Sequence, residues 1–220
     1  MKHKAALFDL DGVILDTESQ YTNFWGGMGE KYFHSGVEFS NMIKGSTLVQ
    51  IFDKYFKDDS ELQQEITAAL DNFEKSMSFE YIAGLPEFVN ALRKAGIKTA
   101  VVTSSNNKKM EMVYRAHPEL KTLFDAILTS EDFDRSKPDP DCYLKGAKQF
   151  GLQPDMCIGF EDSINGLKAV NAAGMYCVGL ATTNPHDVVA EYADLVIANY
   201  LDTNDQDVHD KYNKLMGLFV

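Results

Sequence analysis

Asp9 and Asp11, separated by one residue, close the apolar segment Ala5-Ala6-Leu7-Phe8 and are followed at once by Gly12. The apolar segment reads as a short buried strand, and the glycine lets the backbone turn sharply. Side chains at i and i+2 of an extended segment leave on the same side, so the two carboxylates converge on one small volume. Held together they repel, which raises one pKa unless a cation joins them. A hard divalent ion with oxygen ligands, Mg²⁺, meets that requirement. A lone D-x-D is as often a strand ending in an acidic turn, so the weight falls on what lies downstream.

Three further stretches carry suitable groups. Thr103 ends the apolar run Ile97–Thr103, and Ser104 and Asn107 follow it as additional donors for an anion. Alone, a threonine at a strand end is usually a turn residue. Lys137 lies in Ser136-Lys137-Pro138-Asp139-Pro140, where prolines stiffen the chain and hold the ammonium as a fixed point charge. Such a charge suits a phosphoryl transition state, although the tetrapeptide by itself reads more simply as a solvated turn. Glu161 and Asp162 follow the run Met156–Phe160 and lead into Ser163-Ile164-Asn165-Gly166. Helix capping by Asp162 or Ser163 is compatible with a role in binding a metal.

The elements that must position these groups follow from the hydrophobic pattern. Strands are expected at Ala5–Phe8, Ile97–Thr103, Ala126–Thr129, Met156–Phe160, Met175–Leu180 and Leu195–Ile197, with helices between them near 84–96, 107–116, 141–150 and 163–173. Such alternation implies an α/β fold with a central parallel sheet covered on both faces. Ligands of these sheets bind beyond the carboxyl ends of the strands, where Asp9, Thr103 and Glu161 all fall. Residues 17–80 are strand-poor and helical. Helices are expected at Glu18–Phe33 (with Gly26 and Gly27 as a weak spot), Thr47–Phe56 and Ser60–Ser78, the last capped by Ser60. This block reads as a helical insertion, residues 17–80, into a core made of 1–16 and 81–220.

Composition narrows the function. The 220 residues are 45% hydrophobic and 25% charged, ordinary for a soluble globular protein. A formal charge of −12 without a basic patch argues against nucleic acid as a partner. Cys142, Cys157 and Cys177 form no C-x-x-C pair, and read as free thiols in a reducing compartment. The first strand follows Met1-Lys2-His3-Lys4 directly, leaving no room for a signal peptide, and no apolar run is long enough to span a bilayer. A cytoplasmic protein, off the membrane, is expected, and nothing demands more than a monomer. The five histidines are scattered without metal-ligand spacing.

Asp9-Leu10-Asp11-Gly12-Val13 resembles the first motif, D-x-D-x-[TV], of the haloacid dehalogenase superfamily. The continuation Ile14-Leu15-Asp16-Thr17-Glu18 is similar to the branch of β-phosphoglucomutases and small sugar-phosphate phosphatases. Thr103, Lys137-Pro138-Asp139-Pro140 and Glu161-Asp162 match the later motifs in order, over nearly the whole chain. The resemblance implies a Rossmannoid core with a helical cap inserted after the first strand. It implies Asp9 as nucleophile and Asp11 as general acid and base. Thr103 would hydrogen-bond the phosphate, and Lys137 would bridge nucleophile and phosphate. Mg²⁺ would be held by Asp9, the Asp11 backbone carbonyl and Asp162, with Glu161 binding directly or through water. Lys44 and Gly45 match a cap element that grips the substrate. Leu48 stands where the mutases carry an arginine, and Tyr21 where they carry a histidine.

The implied activity is that of a Mg²⁺-dependent phosphatase acting on a small phosphate ester, a sugar phosphate, through an aspartyl-phosphate. The alternative is a phosphomutase of the β-phosphoglucomutase kind, in which a sugar hydroxyl replaces water as acceptor. A receiver-like phosphoacceptor module, the reading outside enzymology, would be about half this length and would lack Asp11 and the insert.

Overall fold

The structure, a computed structural model, describes residues 2–44, 46–57, 59–201 and 206–220. Six strands form one parallel sheet: β1 (Ala5–Phe8), β2 (Lys98–Val102), β3 (Ala126–Leu128), β4 (Cys157–Glu161), β5 (Tyr176–Leu180) and β6 (Leu195–Ile197). Their spatial order is β3-β2-β1-β4-β5-β6. The order reverses between β1 and β4, which pair from Ala5 with Cys157 to Phe8 with Phe160. In an open sheet of this kind the crevice above the reversal is where ligands sit. Asp9 and Glu161 therefore meet there as a consequence of topology.

Alternation along β1 sorts its side chains onto two cores. Ala6 and Phe8 face one cluster with Phe88, Phe160 and Tyr200, and Ala5 and Leu7 face the other with Tyr143, Leu167 and Val170. The helices covering the sheet are numbered after the four of the insert: α5 (Leu85–Lys94), α6 (Asn107–Ala116), α7 (Leu120–Leu123), α8 (Asp141–Gln149), α9 (Ile164–Ala172), α10 (His186–Ala190) and α11 (Gln206–Met216).

The insert holds α1 (Glu18–Phe33), α2 (Gly36–Ile43), α3 (Leu48–Tyr55) and α4 (Ser60–Glu74). Trp25, Phe39, Ile43, Ile51, Phe56 and Ile66 give it a core of its own. The expected weak spot at Gly26 and Gly27 lies in an unbroken helix, and it is the next glycine, Gly29, that has a packing reason. A Cβ on Gly29 would lie 2.6 Å from Phe39 Cβ and 2.7 Å from the Gly36 carbonyl, so α2 sits directly on the α1 backbone. Helix α4 is capped by Asp59, which accepts from Leu62 N at 2.9 Å, rather than by Ser60. It also ends at Glu74, short of Ser78, where Ser76 N and Oγ both bond the Phe73 carbonyl and satisfy the final turn. Two chain segments join insert to core side by side: Asp16 N donates to Glu80 O at 2.8 Å and Ile82 N to Ile14 O at 2.9 Å.

Candidate active site

Asp9 lies one residue beyond β1, and its backbone N–H still donates to Phe160 O at 3.0 Å. Lys137, 3% exposed, donates to Asp9 Oδ1 at 2.6 Å and to Glu161 Oε1 at 2.5 Å, and its ammonium lies 3.4 Å from the Val102 carbonyl. The Lys137–Pro138 peptide bond is cis. One buried cation thus serves two carboxylates. Burial pushes the Asp9 carboxyl up to about 7; Lys137 opposes that shift, while Glu161 and Asp11 add to it. Burial works against the Lys137 charge, yet Asp9 and Glu161 hold its pKa above the usual lysine range.

Glu161 ends β4 fully buried. Its Oε1 accepts from Lys137 and from Tyr143 OH at 3.1 Å, and its Oε2 accepts from Asp162 N, Ser163 N and Ser163 Oγ. The carboxylate lies flat against Gly166 of α9, where a Cβ would overlap it. A carboxylate offers about four lone-pair sites, so these donors already occupy Glu161. That leaves direct ligation of a cation chiefly to its neighbours. Asp162, 2% exposed, accepts from Thr183 Oγ1 and stands over Gly12, whose φ of +73° and missing Cβ both make room for it. Burial, then the charges of Glu18, Glu161 and Asp9, hold the Asp162 carboxyl well above its ordinary range.

Oxygens of Asp9, Glu161 and Asp162 lie within 4.8 Å of one another. An all-carboxylate donor set, crowded and short of positive charge, fits a hard divalent cation such as Mg²⁺. The Asp11 carboxylate does not join this trio. It turns instead to Lys109, Thr17 and Ser105, while still lining the same cavity as Asp9, as strand geometry leads one to expect.

Lys109 of α6 donates to both Asp11 oxygens at 2.6 Å, Thr17 Oγ1 to Oδ1 at 2.5 Å and Ser105 Oγ to Oδ2 at 3.0 Å. Burial raises the Asp11 pKa, but the Lys109 charge and these hydrogen bonds outweigh it and hold the carboxyl below its ordinary range. Sequence reasoning missed Lys109, Thr17 and Ser105. Lys109 shares its helix face with Val113, four residues on, and that buried face was the available signal.

Thr103 follows β2, buried, and its Oγ1 accepts from Ser105 N at 3.0 Å. Thr103 and Ser104 line a cavity of about 200 Å³ with Asp9, Asp11, Lys137 and Asp162. Asn107 does not line it: Asn107 N donates to the Glu131 carboxylate, and its Oδ1 accepts from Thr129 Oγ1 at 3.3 Å. The neighbouring Asn106 lines the cavity and caps α6 through Lys109 N. From the insert come Glu18, Tyr21, Trp25, Lys44, Thr47, Leu48 and Glu74. Lys44 Nζ lies 3.4 Å from Thr183 O, and its carbonyl accepts from Asn165 Nδ2 at 3.2 Å. Gly45 lies outside the described residues. Gln50 Nε2 reaches the Lys137 carbonyl at 3.2 Å, so insert and core meet beside the buried lysine.

A doubly wound parallel sheet that gathers carboxylates and a buried lysine at its switch point has the parts of a phosphoryl-transfer site. The family model described as haloacid dehalogenase-like hydrolase matches residues 6–180. The chain belongs to this family of haloacid dehalogenase-like hydrolases. Hexitol phosphatase A of Escherichia coli is 31% identical over 194 residues, covering 85% of this chain and 86% of that protein. Validoxylamine A 7'-phosphate phosphatase of Streptomyces hygroscopicus subsp. limoneus is 28% identical over 206 residues, covering 89% and 93%. The crystal structure of β-phosphoglucomutase from Clostridium difficile shares the fold, with a TM-score of 0.75 at 24% identity over 98% of this chain and 99% of that one.

Proposed function

We propose that the chain is a Mg²⁺-dependent phosphatase that hydrolyses a small phosphorylated metabolite, a sugar phosphate, through a phosphoryl group carried on Asp9. The observation that carries this reading is the pair of separately held aspartates. Asp9 is tied to Lys137 beside Asp162, and Asp11 is tied to Lys109 on the same cavity. One acid is therefore placed to attack, the other to move protons. The named phosphatases among the relatives support the ester as substrate.

Asp9 attacks phosphorus and the ester P–O bond breaks. Asp11, as the acid, gives its proton to the departing alcohol oxygen. It then takes a proton from water as that water attacks the Asp9-bound phosphoryl group, which frees phosphate and restores Asp9. The Lys109 contact favours the ionised form of Asp11, which suits this second step, whereas the first step needs Asp11 to carry a proton. Lys137 and the Thr103 hydroxyl balance phosphate charge. Asp9 and Asp162 would hold Mg²⁺, with Glu161 beside them and the Asp11 carbonyl as the family pattern implies. When bound there the ion would offset the negative charge between nucleophile and phosphate.

Residues 17–80 serve in this reading as a cap on a core of 1–16 and 81–220, and Lys44 with Gly45 as its substrate-gripping element. Tyr21 OH donates to Glu74 Oε1 at 2.8 Å, and Leu48 is apolar. Neither offers a cationic grip on a second phosphate, which favours hydrolysis over a mutase reaction. Three buried free thiols suit the cytoplasm. Among the described residues no helix is long and apolar enough to cross a membrane. The working unit is a monomer acting on a small-molecule phosphate ester.

Phosphate release from glucose 1-phosphate, fructose 1-phosphate and sorbitol 6-phosphate, with and without Mg²⁺, tests the reading. Release that requires Mg²⁺ supports it. Conversion of β-glucose 1-phosphate to the 6-phosphate without free phosphate would replace it with the mutase.

A further inference from the structure

Lys109 is a buried cation that the family motifs do not use. It is 3% exposed, sits on the first turn of α6, and touches both oxygens of Asp11 at 2.6 Å. Its other side faces the Tyr21 ring, whose centroid is 4.5 Å from the ammonium. That ring is fixed in turn by the bond from Tyr21 OH to Glu74. The ammonium is clamped between a core carboxylate and an insert aromatic, a geometry that cation–π attraction and a charge-assisted contact both favour.

We propose that Lys109 is the positioning residue for Asp11, aiming its carboxyl at the leaving oxygen, with Tyr21 holding Lys109 in place. The assignment rests on the phosphatase reading above. Thr17 and Ser105 each reach one Asp11 oxygen, whereas Lys109 alone reaches both, so its loss frees the carboxyl to rotate. Lys109 also lines the cavity, but its assigned role is to hold Asp11 rather than to exchange a proton. An aim lost at Asp11 matters most where the departing oxygen needs a proton. Alkyl esters have that need, and p-nitrophenyl phosphate, whose phenolate leaves unaided, does not.

The test compares kcat/KM, which covers the steps through alcohol departure, for p-nitrophenyl phosphate and for the best-cleaved sugar phosphate of the panel. Lys109→Met should lower the sugar-phosphate value by about 100-fold, the scale of general acid catalysis, and the aryl value by no more than about threefold. Lys109→Arg, whose fork can still engage a carboxylate at two points, should recover most of the loss. Should Lys109→Met fail to fold, Tyr21→Leu carries the test, with the same selectivity for the alkyl ester at smaller size. Equal losses on both esters, or no loss on either, would overturn the assignment while leaving an active wild type. Absence of wild-type turnover on every ester would instead remove the phosphatase reading, and the role of Lys109 with it.

Discussion

Gly166 and Glu161 are in face-to-face contact: the glycine's bare Cα on α9 is the floor on which the Glu161 carboxylate rests, and no side chain fits between them. Because Glu161 also orients Lys137, a helix position that carries no side chain governs the placement of the buried ammonium beside Asp9. Gly166→Ala is expected to cost about 1–3 kcal/mol, as overpacking does, and to cut phosphatase activity by more than about tenfold through Lys137. Thermal unfolding and steady-state kinetics on the same preparation check both parts.

Asp9→Asn should abolish turnover, by about 1,000-fold or more, since an amide cannot accept the phosphoryl group. The fold should persist, because the substitution keeps the shape and removes a crowded buried charge. Circular dichroism alongside the activity assay checks this, and residual turnover near the wild-type rate would exclude Asp9 as nucleophile.

The raised Asp9 carboxyl sets a pH dependence of stability. Its folded pKa of about 7 exceeds its unfolded value near 3.9, so between these limits the folded state binds more protons than the unfolded chain. The Asp9 contribution is then full below about pH 4 and is lost as pH rises toward 7. In buffer free of divalent ions, the Asp9→Asn protein should show a flatter decline than wild type over that window. Denaturant midpoints measured at intervals across it give the comparison.

Chelation of divalent ions should reduce phosphate release to background, and added Mg²⁺ should restore it. Mg²⁺ should also raise the thermal midpoint by binding the folded state alone. Asp162→Ala should remove that increase, because in the proposed function Asp162 is one of the two carboxylates that would hold the ion. An unchanged increase in this variant would place the ion elsewhere.

Gly29→Ala tests the packing of the insert. The added methyl would lie 2.6 Å from Phe39 Cβ, forcing α1 and α2 apart at a cost of about 1–3 kcal/mol. Since Tyr21, Trp25 and Lys44 line the cavity from this block, KM should rise more than kcat falls. The split between the two parameters decides whether the insert shapes binding.

Much of this was legible in the sequence because the decisive signals were local. Ala5–Phe8 is a run of apolar residues long enough only for a buried strand. Lys137 and Glu161-Asp162 are marked by their neighbours, and the helix Asn107–Ala116 has the observed ends. Lys109 was not legible for the opposite reason. Lys108 and Lys109 are consecutive and chemically identical, yet Lys108 pairs with Asp71 at the surface and Lys109 is buried. Only the phase of α6 against β1 and the insert separates them. Asn106 and Asn107 pose the same problem two residues earlier, where the extended cap residue lines the cavity and the first helical residue turns to Glu131. Helix α2 was overlooked because it opens on Gly36, a poor helix former, and is held by Gly29 of another helix.

The paired connections between Asp16 and Glu80 and between Ile14 and Ile82 bring the two ends of the helical block together. A block whose entry and exit are neighbours is a cassette. Foreign helices spliced between those two points leave the register of β1 with β2 and β4 untouched. A lineage can therefore retool what it recognises by exchanging one continuous stretch of gene, provided that the stretch keeps Thr17 and Tyr21, which reach back to Asp11 and Lys109.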